Sequence, residues 1–172
     1  MSRTKHLVLL ALMVAQAMIL SVVEQWIPVP FVIPGVKLGL ANIITLTVII
    51  FMGLKDALAV VTVRCILTSA LAGGFSLLPF SLAGGILSSL VMFLMHRRFS
   101  RTFSTIGISV GGSAAHNIGQ LLAAAVMMRS LSVFGYLPVL MVSGIIMGCF
   151  VGLCTHFLSN AIKKTGLFAG EM

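Results

Sequence analysis

Residues 102–128 read TFSTIGISVGGSAAHNIGQLLAAAVMM, and this stretch contains no Asp, Glu, Lys or Arg. It is longer than the about 20 apolar residues that a helix needs to cross a bilayer. Further charge-free runs cover residues 6–23, 38–54, 65–96 and 130–162. The stretch and its counterparts therefore predict an all-α integral membrane protein.

The composition agrees with this prediction. The chain has 172 residues, of which 59% are hydrophobic and 8% are charged, whereas soluble proteins average about 25% charged residues. So few charges cannot cover the surface of a soluble protein of this size. The length favours one transmembrane domain, residues 1–172. The net charge of +8 does not indicate nucleic-acid binding, because the basic residues cluster beside hydrophobic spans.

Hydrophobic runs and turn residues predict six transmembrane helices. The proline-rich stretch PVPFVIPG, residues 28–35, interrupts the pattern after the first helix and predicts a loop or a partly inserted segment. FSLLPFS, residues 75–81, predicts a second loop. The six helices are predicted at residues 6–26, 36–53, 55–72, 81–96, 104–128 and 137–162.

The distribution of Lys and Arg predicts the orientation. One set of loops and both termini carry eight of these residues, and the other set carries Lys37 and Arg129. Because cytoplasmic loops are enriched in Lys and Arg, both termini are predicted to be cytoplasmic. The eight are Arg3, Lys5, Lys55, Arg97, Arg98, Arg101, Lys163 and Lys164.

Polar residues of the fifth helix are predicted to share one face. At about 100° per residue, Ser113, His116, Asn117 and Gln120 lie together. Gly107, Gly111, Ala115 and Gly119 line the opposite face, where small residues allow a neighbouring helix to approach closely. A polar face turned to lipid is costly, so we expect it to face a cavity or another polar group.

Further polar residues are predicted in the same outer half of the membrane. Lys37, Asn42 and Glu24 fall near the outer ends of the first two helices, and Arg64 falls near the midplane. Lys37 and Arg64 face a single acid there, Glu24. An unbalanced buried cation favours an anionic partner, as does the N-terminus of the second helix. These residues predict a binding site for a polar or anionic ligand.

Each candidate also has a purely structural interpretation. The HNxxQ face could hold helices together, Arg64 could pair with Glu24, and Lys37 could anchor at the membrane interface. Catalysis is not predicted. The chain lacks a P-loop, its acids are Glu24, Asp56 and Glu171, and no metal site or cofactor is indicated.

Three motifs carry a resemblance to a known family. PGVKLGLANI, GGILSSLVM and GGSAAHNIGQL, at residues 34–43, 84–92 and 111–121, resemble the Gx transporter family, also labelled heptaprenyl diphosphate synthase component I. That family is similar to the S components of energy-coupling factor (ECF) importers. The resemblance implies a six-helix protein that docks on a membrane T subunit with two ATPases through an A-x-x-x-A motif. Ala11 and Ala15 match that motif.

We therefore expect an S component in the cell membrane that captures a small vitamin- or precursor-like molecule from outside. The expected ligand contacts are Lys37, Asn42, Arg64, His116, Asn117 and Gln120, with PVPFVIPG as an outer lid. One alternative is a non-catalytic membrane subunit of heptaprenyl diphosphate synthase that functions through HRRFSR, residues 96–101, and the C-terminal lysines. Another is a solitary channel or carrier.

Overall fold

The computed structural model describes residues 3–26, 39–71, 75–99 and 102–165. Within these ranges the chain forms six α-helices, two short 3₁₀ turns and no strand. The helix boundaries lie close to the predicted ones, with two exceptions given below. The helices are α1 (Arg3–Trp26), α2 (Asn42–Phe51), α3 (Leu54–Leu71), α4 (Leu78–Phe99), α5 (Thr105–Met128) and α6 (Leu137–Thr165).

Three segments of the described chain are long and apolar enough to cross a bilayer, namely Arg3–Glu24, Phe75–Phe99 and Leu131–Thr165. The molecule is thus an all-helical membrane protein, as the sequence predicts. That all six helices cross the membrane, and that both termini are cytoplasmic, stay predictions.

The second helix is much shorter than predicted. The prediction starts it at residue 36, but α2 begins at Asn42, because Gly39 has a left-handed backbone with φ +88° that a helix cannot contain. Its ten residues span about 15 Å, half of a hydrocarbon core. Every residue of α2 except Ile50 is buried, so α2 is a central core helix.

The fourth helix begins earlier than predicted. Residues 75–77 form a 3₁₀ turn and Leu78 starts α4, so the predicted loop FSLLPFS is helical for its whole length. Pro79 causes the discrepancy. A proline breaks a helix interior but fits the first turn, where its missing N–H has no intrahelical partner.

One end of the bundle gathers the segments that were predicted to be cytoplasmic. His6 Nε2 at the start of α1 lies 3.1 Å from Asp56 Oδ1 at the start of α3. Leu9 and Phe51 pack together there with Ile162, one residue before Lys163. The start of α1, the α2–α3 turn and the last turns of α6 therefore lie together, as the distribution of Lys and Arg requires. This end is called the basic end below.

Helix α5 packs between α4 and α6 through glycines. A Cβ on Gly119 would lie 2.6 Å from the Ala83 carbonyl oxygen of α4. On the other side, a Cβ on Gly148 of α6 would lie 2.7 Å from Val110 Cα of α5. Such close backbone approach is what small residues provide between membrane helices. The predicted packing role of the α5 stripe is confirmed at Gly119, whereas Gly107 faces Phe103 of its own segment.

All six helices contribute to one apolar cluster. Ile44, Leu46 and Val48 of α2 lie at its centre. The surrounding helices each add buried side chains, which are Met13 and Ala17 of α1, Ala57 and Val60 of α3, Met92 of α4, Ile108 of α5 and Val151 of α6. The polar residues described next lie beyond this cluster, toward the end of the bundle opposite to the basic end.

Candidate functional site

Glu24, at the end of α1, caps the segment that leads into α2. Its carboxylate accepts hydrogen bonds from the backbone N–H groups of Gly39 at 2.5 Å and Leu40 at 3.2 Å, and the side chain is buried. The sequence predicts that this helix start favours an anionic ligand. In the structure the protein's own carboxylate provides the negative charge there, because the left-handed Gly39 turns these amides toward α1.

Arg64 is a buried cation of α3 whose guanidinium is only partly satisfied. The side chain is 4% exposed, and its Nη1 donates a hydrogen bond of 2.9 Å to Ser21 Oγ of α1. Its Nε and Nη2 have no hydrogen-bond partner. The alternative ion pair with Glu24 is not observed, and the Glu24 carboxylate accepts from the Gly39 and Leu40 amides. Two nitrogens of the charged guanidinium are thus buried without a hydrogen bond.

Asn42, the first residue of α2, is buried with both amide atoms unused. The residue is 1% exposed, and neither Oδ1 nor Nδ2 has a hydrogen-bond partner. A Cβ on Gly39 would lie 3.0 Å from Asn42 Nδ2 and 3.9 Å from His116 Cδ2. The side chains of Asn42 and His116 therefore both lie close to Gly39.

His116 and Gln120 of α5 pack against a glycine pair of α4. A Cβ on Gly84 would lie 3.0 Å from His116 Cε1 and 2.9 Å from Gln120 Cγ. A Cβ on the next residue, Gly85, would lie 3.3 Å from Arg64 Nη2. The α4 backbone at Gly84 and Gly85 therefore contacts His116 and Gln120 of α5 and Arg64 of α3.

The name polar cluster is used below for Arg64, Asn42, His116 and Gln120 with Ser21 as the anchor of Arg64. Ser21, Gly84 and Gly85 were not predicted as part of it. Ser21 precedes Glu24 by three residues and so shares its helix face, which is a signal the sequence carried. The adjacent glycines inside a helix were a second signal.

Asn117 belongs to a different contact. Its Nδ2 donates a hydrogen bond of 2.6 Å to the Leu140 carbonyl oxygen, and a Cβ on Gly144 would lie 2.6 Å from the same nitrogen. Ser113 lies on this side too, 3.1 Å from a Cβ on Gly148. The single polar face predicted for α5 is therefore divided: Ser113 and Asn117 face α6, whereas His116 and Gln120 face α4 and the start of α2.

Lys37 and the lid segment PVPFVIPG lie outside the described residues, so their predicted roles stay predictions. Ala11 and Ala15 are described, and both are exposed on α1. Ala15 also lines an apolar crevice of about 470 Å³ on the outside of the bundle. The other lining residues are Met18, Ile19, Val22, Val23, Trp26 and Leu71.

The acids of the described chain are engaged within the protein. Glu24 accepts from two backbone amides, and Asp56 lies against His6. Across residues 3–26, 39–71, 75–99 and 102–165, no group of three His, Cys, Asp or Glu residues could hold a metal ion. The polar cluster offers N–H donors and amide groups, which is chemistry for binding an oxyanion.

Comparison with known proteins adds one finding. A family model described as heptaprenyl diphosphate synthase component I matches residues 13–158. The chain belongs to this family. The matched part of this component I chain contains the whole polar cluster and Ala15, and Ala11 lies just before it. No curated protein and no solved structure matches the chain.

Proposed function

We propose that this membrane protein is the substrate-binding S component of an ECF-type importer, which captures a small polar or anionic molecule from the outer side. The observation that carries the proposal is Arg64, a buried cation whose Nε and Nη2 have no hydrogen-bond partner. Asn42 is a second buried residue whose amide atoms are unused. These groups lie in the half of the bundle that the Lys and Arg distribution assigns to the outer leaflet.

The physical argument starts from the cost of the cluster. A buried polar group without a partner costs about 1–3 kcal/mol, and a charged one costs more. A protein retains such groups where a ligand satisfies them, and charged residues inside membranes mark ligand or ion pathways. Arg64 would supply charge, Asn42 and Gln120 would supply oriented hydrogen bonds, and His116 would donate or accept.

The surface of α1 supports docking on a T subunit. Ala11 and Ala15 are exposed one helical turn apart, and their small side chains would let another membrane helix approach the α1 backbone closely. The surrounding face is apolar, with Val8, Leu12 and Ile19 exposed. The T subunit would bring the two ATPases that drive transport.

The family description favours a second candidate. As a non-catalytic membrane subunit of heptaprenyl diphosphate synthase, the chain would bind a soluble subunit through its basic end. Arg97, Arg98, Lys163 and Lys164 are exposed there. Under this interpretation Asn117 and the other polar residues of α5 hold helices together, as Asn117 does through Leu140.

Co-purification separates the two candidates. The tagged protein is isolated from its native membrane in mild detergent beside an Ala11→Leu/Ala15→Leu variant and an Ala59→Leu control, which changes an exposed alanine of α3. Mass spectrometry should find a T-type membrane protein and two ATPases with the wild type and the control, but not with the double variant. If a prenyl synthase subunit co-purifies with the wild type, the double variant and the control, and no ATPase does, the second candidate is established instead.

A further inference from the structure

We infer that two copies of this protein pair in the membrane through one face of α1, with their Gln16 side chains hydrogen-bonded to each other at the centre of the contact. This inference goes beyond the proposed function and does not depend on it. It follows from the exposure of Gln16 on a membrane-length helix, from the spacing of the apolar residues around it, and from the space between α1 and α6.

Gln16 is a polar side chain on the outer surface of a long apolar helix. The residue is exposed, and its side chain makes no hydrogen bond within the described chain. It lies about 20 Å from the start of α1 and about 15 Å from its end, so the side chain is too short to reach either headgroup layer. Hydrocarbon offers an amide no partner, and an unsatisfied polar group there is costly. The partner that fits is therefore a polar side chain of another membrane helix.

The residues around Gln16 have the spacing of a helix-pairing surface. Exposed side chains follow one another along α1 in steps of four, three, four and three residues. This alternation is typical of a two-helix coiled coil, and Gln16 occupies one of its a positions. A single polar residue at an a position fixes the register and the number of helices at a cost in stability. The face, named the α1 seam below, consists of Leu12, Gln16, Ile19, Val23 and Trp26.

The chemistry of Gln16 favours a second copy as the partner. A carboxamide carries both a donor and an acceptor, so two Gln16 side chains related by a two-fold axis can each donate to the other. In a parallel pair both copies keep the same orientation in the membrane, and each seam residue meets its counterpart at the same depth. A different protein would need a polar side chain at this depth, whereas a second copy always supplies one.

The side of the α1 seam that faces α6 is open to an approaching helix. Along their described residues, no Cα atom of α1 lies within 8 Å of a Cα atom of α6, although the axes of packed helices are about 8–10 Å apart. A crevice of about 390 Å³ occupies the space between them. Its lining residues are Gln16, Ile19, Leu20, Ile43, Ile44, Cys154 and Leu158.

Pairing would affect the surface proposed for the T subunit. Ala15 directly precedes Gln16 and lies at the edge of the α1 seam. A second copy bound to the seam would cover part of the Ala11 and Ala15 surface, so the second copy and the T subunit would compete for α1.

The first test measures pairing in a bilayer. Purified protein carrying donor or acceptor fluorophores is reconstituted in lipid vesicles, and energy transfer is followed over a series of protein-to-lipid ratios. Wild type should form dimers, and Gln16→Leu should raise the dimer dissociation constant about tenfold, because the interhelical hydrogen bonds of the two amides are lost. Asn160→Leu, which removes an exposed amide of α6, should leave the constant unchanged.

The second test locates the contact by cross-linking in native membranes. In a background without Cys65, Cys149 and Cys154, Gln16→Cys should form a disulfide-linked dimer on oxidation, whereas Val63→Cys, exposed on α3, should not. Monomers at every protein-to-lipid ratio, or dimers that Gln16→Leu leaves equally stable, would overturn the inference. Cross-linking of Gln16→Cys to a different protein and not to itself would also overturn it, since another partner would then cover the seam.

Discussion

Arg64 is a buried positive charge that no carboxylate of the described chain pairs with. One hydroxyl, that of Ser21, accepts from it. Replacing a buried charge network with apolar residues often raises the stability of a protein. Removing one partner of a buried ion pair lowers the stability. The stability of an Arg64 variant therefore distinguishes a functional charge from a structural one.

Arg64→Met should raise the stability of the ligand-free protein by about 1–4 kcal/mol, because it removes an unsatisfied buried cation and keeps the side-chain length. The measurement is thermal unfolding in detergent, with Arg98→Met at an exposed site as the control. A loss of about 3–5 kcal/mol would indicate instead that Arg64 is one member of a structural pair.

Two asparagines form a matched pair with opposite expected effects. Asn117→Ala should destabilise the protein by about 1 kcal/mol, since it removes the hydrogen bond to Leu140 in a membrane helix contact. Asn42→Ala should cost less stability, because neither of its amide atoms is bonded, but it should abolish ligand binding. Thermal unfolding and a binding assay on both variants check this prediction. If Asn42→Ala lost more stability and Asn117→Ala lost ligand binding, the two roles would be assigned the wrong way round.

Glu24 acts on the local structure around α2 through its charge. Glu24→Gln keeps the shape of the side chain but weakens two hydrogen bonds from the Gly39 and Leu40 amides. Charge-assisted hydrogen bonds contribute about 1.5–3 kcal/mol each when buried, so a loss of about 2 kcal/mol is expected in thermal unfolding. An unchanged melting temperature would show that the amides do not depend on the charge.

Among the elements, α5 shows what the sequence could and could not predict. Its boundaries and the packing of Gly119 on α4 follow from the charge-free run and the four-residue spacing of small residues. The division of its polar face does not, because Asn117 and His116 are adjacent in sequence and their partners, Leu140 and the start of α2, depend on where α6 and α2 lie.

The short α2 could not be predicted for a related reason. Hydropathy continues without interruption from residue 38 to residue 54, so the left-handed backbone of Gly39 is invisible to a count of apolar residues. The start of α4 was obscured by Pro79, which is a loop signal in a helix interior and a helix signal in a first turn. In both cases the backbone conformation of one residue decides the boundary.

The α4–α5 contact predicts the effect of one added methyl group. Gly119→Ala would place Cβ 2.6 Å from a backbone oxygen of α4, which cannot rotate away, so the helices must separate at a cost of about 1–3 kcal/mol. Gly135→Ala, where a Cβ meets nothing within 4 Å, is the matched control. Equal unfolding temperatures for the two variants would contradict the observed packing.

At the scale of the whole molecule, the basic end predicts the orientation that the proposed function requires. Single-cysteine variants in a background without Cys65, Cys149 and Cys154 can report it in intact cells. Arg129→Cys should react with a membrane-impermeant maleimide from outside, and Lys163→Cys should react only after the membrane is opened. Labelling of Lys163→Cys alone in intact cells would place the polar cluster in the cytoplasmic half and rule out capture from outside.

The central claim is that the polar cluster holds a small molecule through Arg64. The most direct measurement is the small-molecule content of protein purified from its native membrane, compared by mass spectrometry between wild type, Arg64→Met and Arg98→Met. One compound at a molar ratio near one is expected in wild type and Arg98→Met and should be absent from Arg64→Met. Equal content in all three preparations, including none in any, would contradict the account.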